Sequence, residues 1–255
     1  MVVLIKLLLI IFFCTIDCTL AMLAFYCQQY PALEAPLPKV SRIIDDFLRR
    51  DPTEELELRL GSIAMGRFTN GVTEDFFDKT LQLVEEFDGF TKQDSSWVQA
   101  VDYFYKFKNL SVRSRVNETG PVETIYKEVR ERLDIEVLID REFGLMDLLP
   151  SAIRVQVAKE IPVQIGANDD VGMTLTYLRL KQQRHFQYKE FSFEFSKVWT
   201  GATFQEADRA FFTKPPTAYE IEIEFVGNSC KTPVQLAVSL LLKILDFLPE
   251  NATLQ

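Results

Sequence analysis

Two short runs place carboxylates at strand spacing. Glu55-Leu-Glu57-Leu-Arg59-Leu puts Glu55, Glu57 and Arg59 on one side of an extended chain, and Tyr219-Glu220-Ile-Glu222-Ile-Glu224-Phe225 does the same for Glu220, Glu222 and Glu224, because residues two apart in a strand share a face. Either run alone reads as the solvent face of a half-buried strand, where Glu and Arg ordinarily sit. Three glutamates in succession on one face repel one another, however, unless cations lie opposite. Other strand-like segments supply such cations: Arg113 with Arg115, Lys127, Arg154, and the group Arg179, Lys181 and Arg184.

If these polar faces meet around one wet lumen, the chemistry that follows is that of a polyphosphate. Hard cations such as Mg²⁺ and Mn²⁺ bind a few carboxylates while keeping waters and substrate phosphate. Lys and Arg hold phosphate oxygens, Arg bidentately. Such a site needs no side-chain nucleophile, and the sequence offers few. The single histidine, His185, sits beside Arg184 in a strand-like run and reads as structural, which removes the basis for Ser/His/Asp or Cys/His catalysis. There is no Gly-x-Gly-x-x-Gly run and no Gly-rich loop closing on Lys-Ser/Thr, so nucleotide-binding α/β folds are disfavoured. Cys14, Cys18, Cys27 and Cys230 give neither a zinc spacing nor a disulfide framework. A formal charge of −9 argues against sequence-independent coating of nucleic acid, which rests on Lys and Arg, while leaving room for a small basic pocket. Trp97, Tyr103, Phe104, Tyr105 and Phe107 read as core or packing residues, with base stacking the less favoured alternative.

The elements that must position these residues are mostly strands. Beyond Glu55–Leu60, which Gly61 is expected to end, alternating segments run over Leu110–Val116, Thr124–Arg130, Arg132–Ile139, Ile153–Glu160, Thr174–Arg184, Ser192–Val198 and Ala218–Val226. Such a series predicts a barrel or sandwich. Helices are expected over Val40–Arg50, over Thr73–Phe87 with Thr73 as N-cap, and from Thr232 onward, where Thr232, Pro233 and Gln235 form a capping-box start. The fold class expected is mainly β (α+β) with flanking helices. Residues 1–30 form a hydrophobic leader, interrupted by Lys6 and Asp17, that reads equally as a signal or anchor and as a non-native extension of the reading frame. Residues 31–51 read as a Pro-containing linker and short helix, and residues 52–255 as the catalytic domain.

At these residues the sequence resembles the RNA 5′-triphosphatases of fungal, protozoal and viral mRNA-capping systems, within the triphosphate tunnel metalloenzymes. Glu55-Leu-Glu57-Leu-Arg59-Leu-Gly61, with Gly66-Arg67-Phe68 and Gly71-Val72 after it, is similar to the family's opening strand and loop, and Tyr219–Phe225 to its closing Glu-x-Glu-x-Glu strand. Between them, Val112–Arg115 resembles a phosphate-binding strand, Ile125-Tyr126-Lys127 a segment carrying a tunnel lysine, and Arg154 to Glu160 the strand whose glutamate orients the attacking water. Arg179–Tyr188 resembles the basic strand and its hairpin, and Glu194–Val198 an Asp-x-Thr-Lys-Val pattern with replacements.

The resemblance implies that the sheet closes as an antiparallel barrel, that Glu55, Glu57 and Glu224 ligate Mg²⁺ or Mn²⁺, that Arg113, Lys127, Arg184 and Lys181 clamp phosphates, and that Glu160 positions water. Removal of the γ-phosphate from nascent RNA leaves a diphosphate end for a guanylyltransferase partner. The nucleus is the expected location, with a viral or cytoplasmic capping site as alternatives, and a secretory or membrane location if residues 1–30 act as a signal. The spacing of Arg179, Lys181 and Arg184 does not keep all three on one face without a bulge, so which of them enters the tunnel is open. Two other readings stand beside this one. One keeps the tunnel but takes nucleoside triphosphate, thiamine triphosphate or tripolyphosphate as substrate. The other is a non-enzymatic, secreted or tethered barrel, which predicts an apolar lumen.

Overall fold

Alternation of charged and apolar residues leaves the acidic and basic strands with two incompatible faces, and the chain reconciles them by closing the sheet on itself. The computed structural model describes residues 20–117, 123–139, 150–164, 173–227, 231–248 and 252–255. The strands are β1 (Glu54–Ala64), β2 (Arg67–Asn70), β3 (Thr91–Phe107), β4 (Leu110–Asn117), β5 (Glu123–Ile139), β6 (Ala152–Pro162), β7 (Thr174–Tyr188), β8 (Phe191–Gly201), β9 (Ala218–Phe225) and β10 (Ala252–Leu254). Eight of them form an antiparallel barrel in the order β1-β6-β5-β4-β3-β7-β8-β9 and back to β1, so no barrel strand presents a bare edge along its whole length. The far end of β1 pairs with β2, and β10 pairs with the far end of β5.

The apolar core lies outside the barrel. Leu56, Leu58 and Leu60 of β1, Phe191, Phe193 and Phe195 of β8, and Ile221 and Ile223 of β9 are buried in one cluster. The same cluster takes in residues of three helices, α1 (Leu37–Leu48), α2 (Glu74–Glu86) and α4 (Pro233–Leu245). A smaller cluster joins Leu178, Leu180 and Trp199 to Ala207 of α3 (Phe204–Thr213). Each fully buried side chain of this kind contributes about 1.5–3 kcal/mol. Apolar stabilisation is thus gathered on the outer face, and the inner face is left to charge. The expected helix starts are present: Thr73 accepts from the Phe76 amide at 3.4 Å, and Thr232 and Gln235 exchange cap hydrogen bonds of 3.3 and 3.0 Å.

Several boundaries differ from the sequence reading. The two strands expected over Thr124–Arg130 and Arg132–Ile139 are one, β5, whose register slips between Val129 and Glu131 where it pairs with β6. Neither β3 nor α3 was legible as an element. Gly61 does not end β1. A Cβ there would lie 2.2 Å from the Thr69 carbonyl oxygen, so the glycine lets β2 approach. The hairpin then turns through Met65 and Gly66, both at positive φ (51° and 71°), as tight two-residue turns require. Residues 1–19 of the hydrophobic leader lie outside the described residues, and 20–29 are helical. No helix of the described residues is long and apolar enough to cross a membrane.

Candidate active site

The register of the closing strands brings the two acidic rows together. Between β1 and β9, Glu57 lies opposite Glu224 and Arg59 opposite Glu222. On the other flank of β1, Glu57 lies opposite Gln156 of β6, and Lys127 of β5 lies opposite Glu160 of β6. Directly opposed residues share a face, so these side chains enter one lumen. Glu57, 5% exposed, is the hub. It accepts from Gln156 Nε2 at 2.7 Å, Lys127 Nζ at 2.8 Å and Arg59 Nη2 at 3.2 Å. Lys127 also reaches Glu55 at 3.1 Å and Glu160 at 3.9 Å, and Arg113 donates to Glu160 at 3.0 Å. Glu55, Glu57, Arg113, Lys127 and Glu160 therefore form one connected group.

The basic strand is sorted by its pairing. β7 runs against β8 without a slip, so Arg179 and Lys181 share a parity that Arg184 lacks. Arg179 lies opposite Asp102 of β3 and pairs with Glu220. Lys181, 3% exposed, donates to Glu194 at 2.8 Å. Arg184 lies opposite Phe195 on the outer face, where it pairs with Glu85 of α2 and stands over the Trp97 ring at 5.5 Å. The expectation that Arg184 clamps phosphate is corrected by this parity. His185 falls on the lumen side opposite Glu194. Arg154 is engaged by Asp134 through hydrogen bonds of 2.7 and 2.8 Å and lies over Phe68.

Around these groups is a cavity of about 300 Å³ whose wall carries Arg59, Arg113, Arg115, Lys127, Arg179 and Lys181, with Glu222 and Asp102 among them. Among the described residues, the buried Nε of Arg113 has no hydrogen-bond partner. A second, larger cavity of about 560 Å³ has Glu55 and Glu224 in its wall, at the starting end of β1 and the finishing end of β9. The charged lumen is the reverse of what a non-enzymatic apolar binding barrel predicts.

Crowding sets the protonation of the acids. Burial, reinforced by the charges of Glu55, Glu57 and Glu160, pushes Glu224 up to about 7. Burial also raises Glu55, against the pull of Lys127, and raises Glu222, against Arg59. In Glu57 burial is outweighed by Arg59 and Lys127, which hold it below the usual carboxylate range, and in Glu194 by Lys181. Glu57 and Glu194 are thus satisfied by cations, while Glu224 is crowded by neighbouring acids and Glu55 shares the Lys127 ammonium with Glu57. As donors Glu55 and Glu224 suit a hard divalent cation, which prefers oxygen ligands. Among the described residues, no three His, Cys, Asp or Glu side chains converge into a group that could hold a metal ion, and the Lys127 ammonium bridges Glu55 and Glu57.

No family model matches the sequence, and no curated protein does. Solved structures do match. The Pct1 RNA triphosphatase of S. pombe superposes with a TM-score of 0.55 at 14% identity, over 81% of this chain and 90% of that one. The same enzyme in complex with the Spt5 CTD gives 0.56 at 15% identity, over 83% and 93%. The Mimivirus capping-enzyme triphosphatase gives 0.52 at 12% identity, over 84% and 97%. This chain has the triphosphate-tunnel fold.

Within the tunnel, sequence reading missed the groups carried by β3 and the polar residues beside the acids. Asp102, 1% exposed, is bound to Arg115 through hydrogen bonds of 2.6 and 2.9 Å, and Gln183 and Ser196 hold Glu194 with Lys181. The signal for β3 was present as a run of Val, Tyr and Phe around Asp102, residues that favour strands, but its aromatic residues fall on both faces and hide the alternation.

Proposed function

We propose that this chain hydrolyses the γ-phosphate of a 5′-triphosphate end, with RNA as substrate and a divalent cation, Mg²⁺ or Mn²⁺, as cofactor. The observation that carries the proposal is the opposition of Glu57 and Glu224 across β1 and β9, beside a cavity lined by Arg113, Lys127, Arg179 and Lys181. An acidic row next to a basic row is what a phosphate and its counter-cation together need. The charged lumen and the fold shared with two RNA triphosphatases support the reading.

In this mechanism Arg113, Arg179 and Lys181 hold the phosphate oxygens and fix the chain of phosphates along the barrel. Glu160, steadied by Arg113 and Lys127, accepts a hydrogen bond from water and orients it for in-line attack. The new bond joins the water oxygen to the γ-phosphorus as the water proton passes to Glu160, the bond from that phosphorus to the bridging oxygen breaks, and the electrons leave on the β-phosphate of a diphosphate end. Positioning and charge stabilisation dominate such transfers. Glu55, Glu57 and Glu224 do not converge on one point as they stand; they would hold the cation by closing on it in place of Lys127, and it would then supply positive charge to the phosphate oxygens. Lys127 competes with it for Glu55 and Glu57. The diphosphate end is the form a guanylyltransferase takes, so such an enzyme is the partner, and the nucleus the location, that belong to this proposal.

The test is release of phosphate by the full chain from triphosphate-ended RNA and from tripolyphosphate, each with and without Mn²⁺. Metal-dependent release from RNA is expected. Glu224→Ala lowers it by more than about 100-fold, beyond the 10- to 100-fold that outer partners of a metal site typically cost. Release that ignores the metal, or that survives Glu224→Ala, overturns the assignment. Faster turnover of tripolyphosphate than of RNA transfers it to a small-molecule tunnel hydrolase.

A further inference from the structure

One pair of aromatic rings stands among the charges of the lumen. Across β4, β3 and β7 the lumen-facing residues form rows: Arg115, Asp102 and Arg179 in one, and Arg113, Phe104 and Tyr177 in the next. Both rings line the charged cavity. They lie stacked on each other, centroids 4.5 Å apart and planes 10° apart. The other aromatic residues of this stretch are placed elsewhere: Tyr103 packs towards the cluster around Trp199, Phe107 is buried, and Trp97 carries Arg184 on the outer face. Phe104 is the member of that group whose ring lines the charged cavity. Tyr177 is 39% exposed, an unusual state for a large ring on the inner side of a closed barrel, and its outward neighbours along the strand lead to open solvent.

We propose that Phe104 and Tyr177 form a base-stacking subsite for the first nucleoside of the substrate. Rows two residues apart along a strand are separated by about 7 Å, and Arg179 lies one such row further in than the rings while Arg113 lies in their own row, so a phosphate gripped by Arg179 leaves its attached nucleoside level with the rings, within the span of one ribose. A flat ring pair accepts any base on its free face, because every base has a π-face. The subsite therefore favours nucleotide-bearing triphosphates over bare polyphosphate without choosing a sequence. The inference rests on the triphosphatase reading for the position of the phosphates.

The test is equilibrium binding to the full chain, with three ligands made non-hydrolysable at the β–γ bridge: triphosphate-ended RNA, the same RNA abasic at its first nucleotide, and tripolyphosphate. The base-bearing ligand is expected to bind about tenfold more tightly than the abasic one. Tyr177→Leu brings that ratio to about one, and Tyr177→Phe, which keeps a ring, preserves it. Equal affinity of the wild-type chain for base-bearing and abasic ends overturns the subsite, as does a ratio that Tyr177→Leu leaves intact. Base discrimination by a chain that hydrolyses none of the parent compounds would keep the subsite and remove the triphosphatase reading.

Discussion

Among the acids, Glu224 responds to solution conditions in a direction the lumen dictates. Burial and the charges of Glu55, Glu57 and Glu160 hold it near about 7, against an ordinary 4.5. Between those values the folded chain keeps a proton that the unfolded chain has lost, so stability falls as pH rises through that window and levels off above it. Glu55 shifts in the same direction. In chelator, the melting temperature should therefore drop between about pH 5 and pH 7.5, and Glu224→Gln should flatten the drop. Melts across that range would check it, and an undiminished slope in the variant would place the proton elsewhere. Asp102 makes the opposite case. Although burial opposes its charge, Arg115 holds it ionised and below the usual range. Asp102→Asn removes the charge that Arg115 was paired with, and breaking a buried pair by losing one partner costs about 3–5 kcal/mol. About 3 kcal/mol is expected in urea unfolding, because Arg115 keeps some contact with solvent.

What a strand contributes to the site is decided by parity, and parity was the part most legible in the sequence. Glu55, Glu57 and Arg59, and likewise Glu220, Glu222 and Glu224, share a face by spacing alone, and the register places each set in the lumen. Arg179, Lys181 and Arg184 could not be sorted in that way. Whether a bulge shifts the parity between Lys181 and Arg184 depends on the partner strand, and only the unbroken pairing of β7 with β8 answers it. Asp102 was hidden for a different reason: on β3 aromatic residues stand on both faces, Phe104 beside Asp102 in the lumen and Tyr103 on the other side, so no polar-apolar alternation marks the strand. Gly61 misled because glycine commonly ends a strand, whereas here it admits the backbone of β2. The sorting of β7 makes its own prediction. Arg184→Ala loses an ion pair and a ring contact on the outer face and leaves the KM for triphosphate-ended RNA within about twofold. Arg179→Ala, by removing a charge-assisted phosphate contact worth about 1.5–3 kcal/mol, raises it by about tenfold or more. The reverse order in steady-state kinetics would mean that the inward and outward faces of β7 have been exchanged.

For the molecule as a whole, the separation of charge by the barrel wall governs how a long substrate is met. The chain carries 28 Lys and Arg against 37 Asp and Glu, a net −9, yet six of its cations line one internal cavity. A polyanion thus meets a net positive wall at that cavity and a net acidic balance over the rest of the chain. Proteins that coat nucleic acid gain affinity with each phosphate neutralised, and most at low salt. Here the order should invert. At about 0.15 M salt, where the screening length is about 8 Å, a triphosphate-ended RNA of about 5 nucleotides and one of about 40 should bind with nearly equal Kd. Near 0.01 M, where screening extends to about 30 Å, the body of the longer RNA feels the acidic exterior and the longer RNA should bind more weakly than the shorter. Titrations of both lengths at the two salt concentrations measure this directly. An affinity that grows with length as salt is lowered would reveal a basic track on the outer surface, and the end-specific mode of binding derived from the charged lumen would then have to be given up.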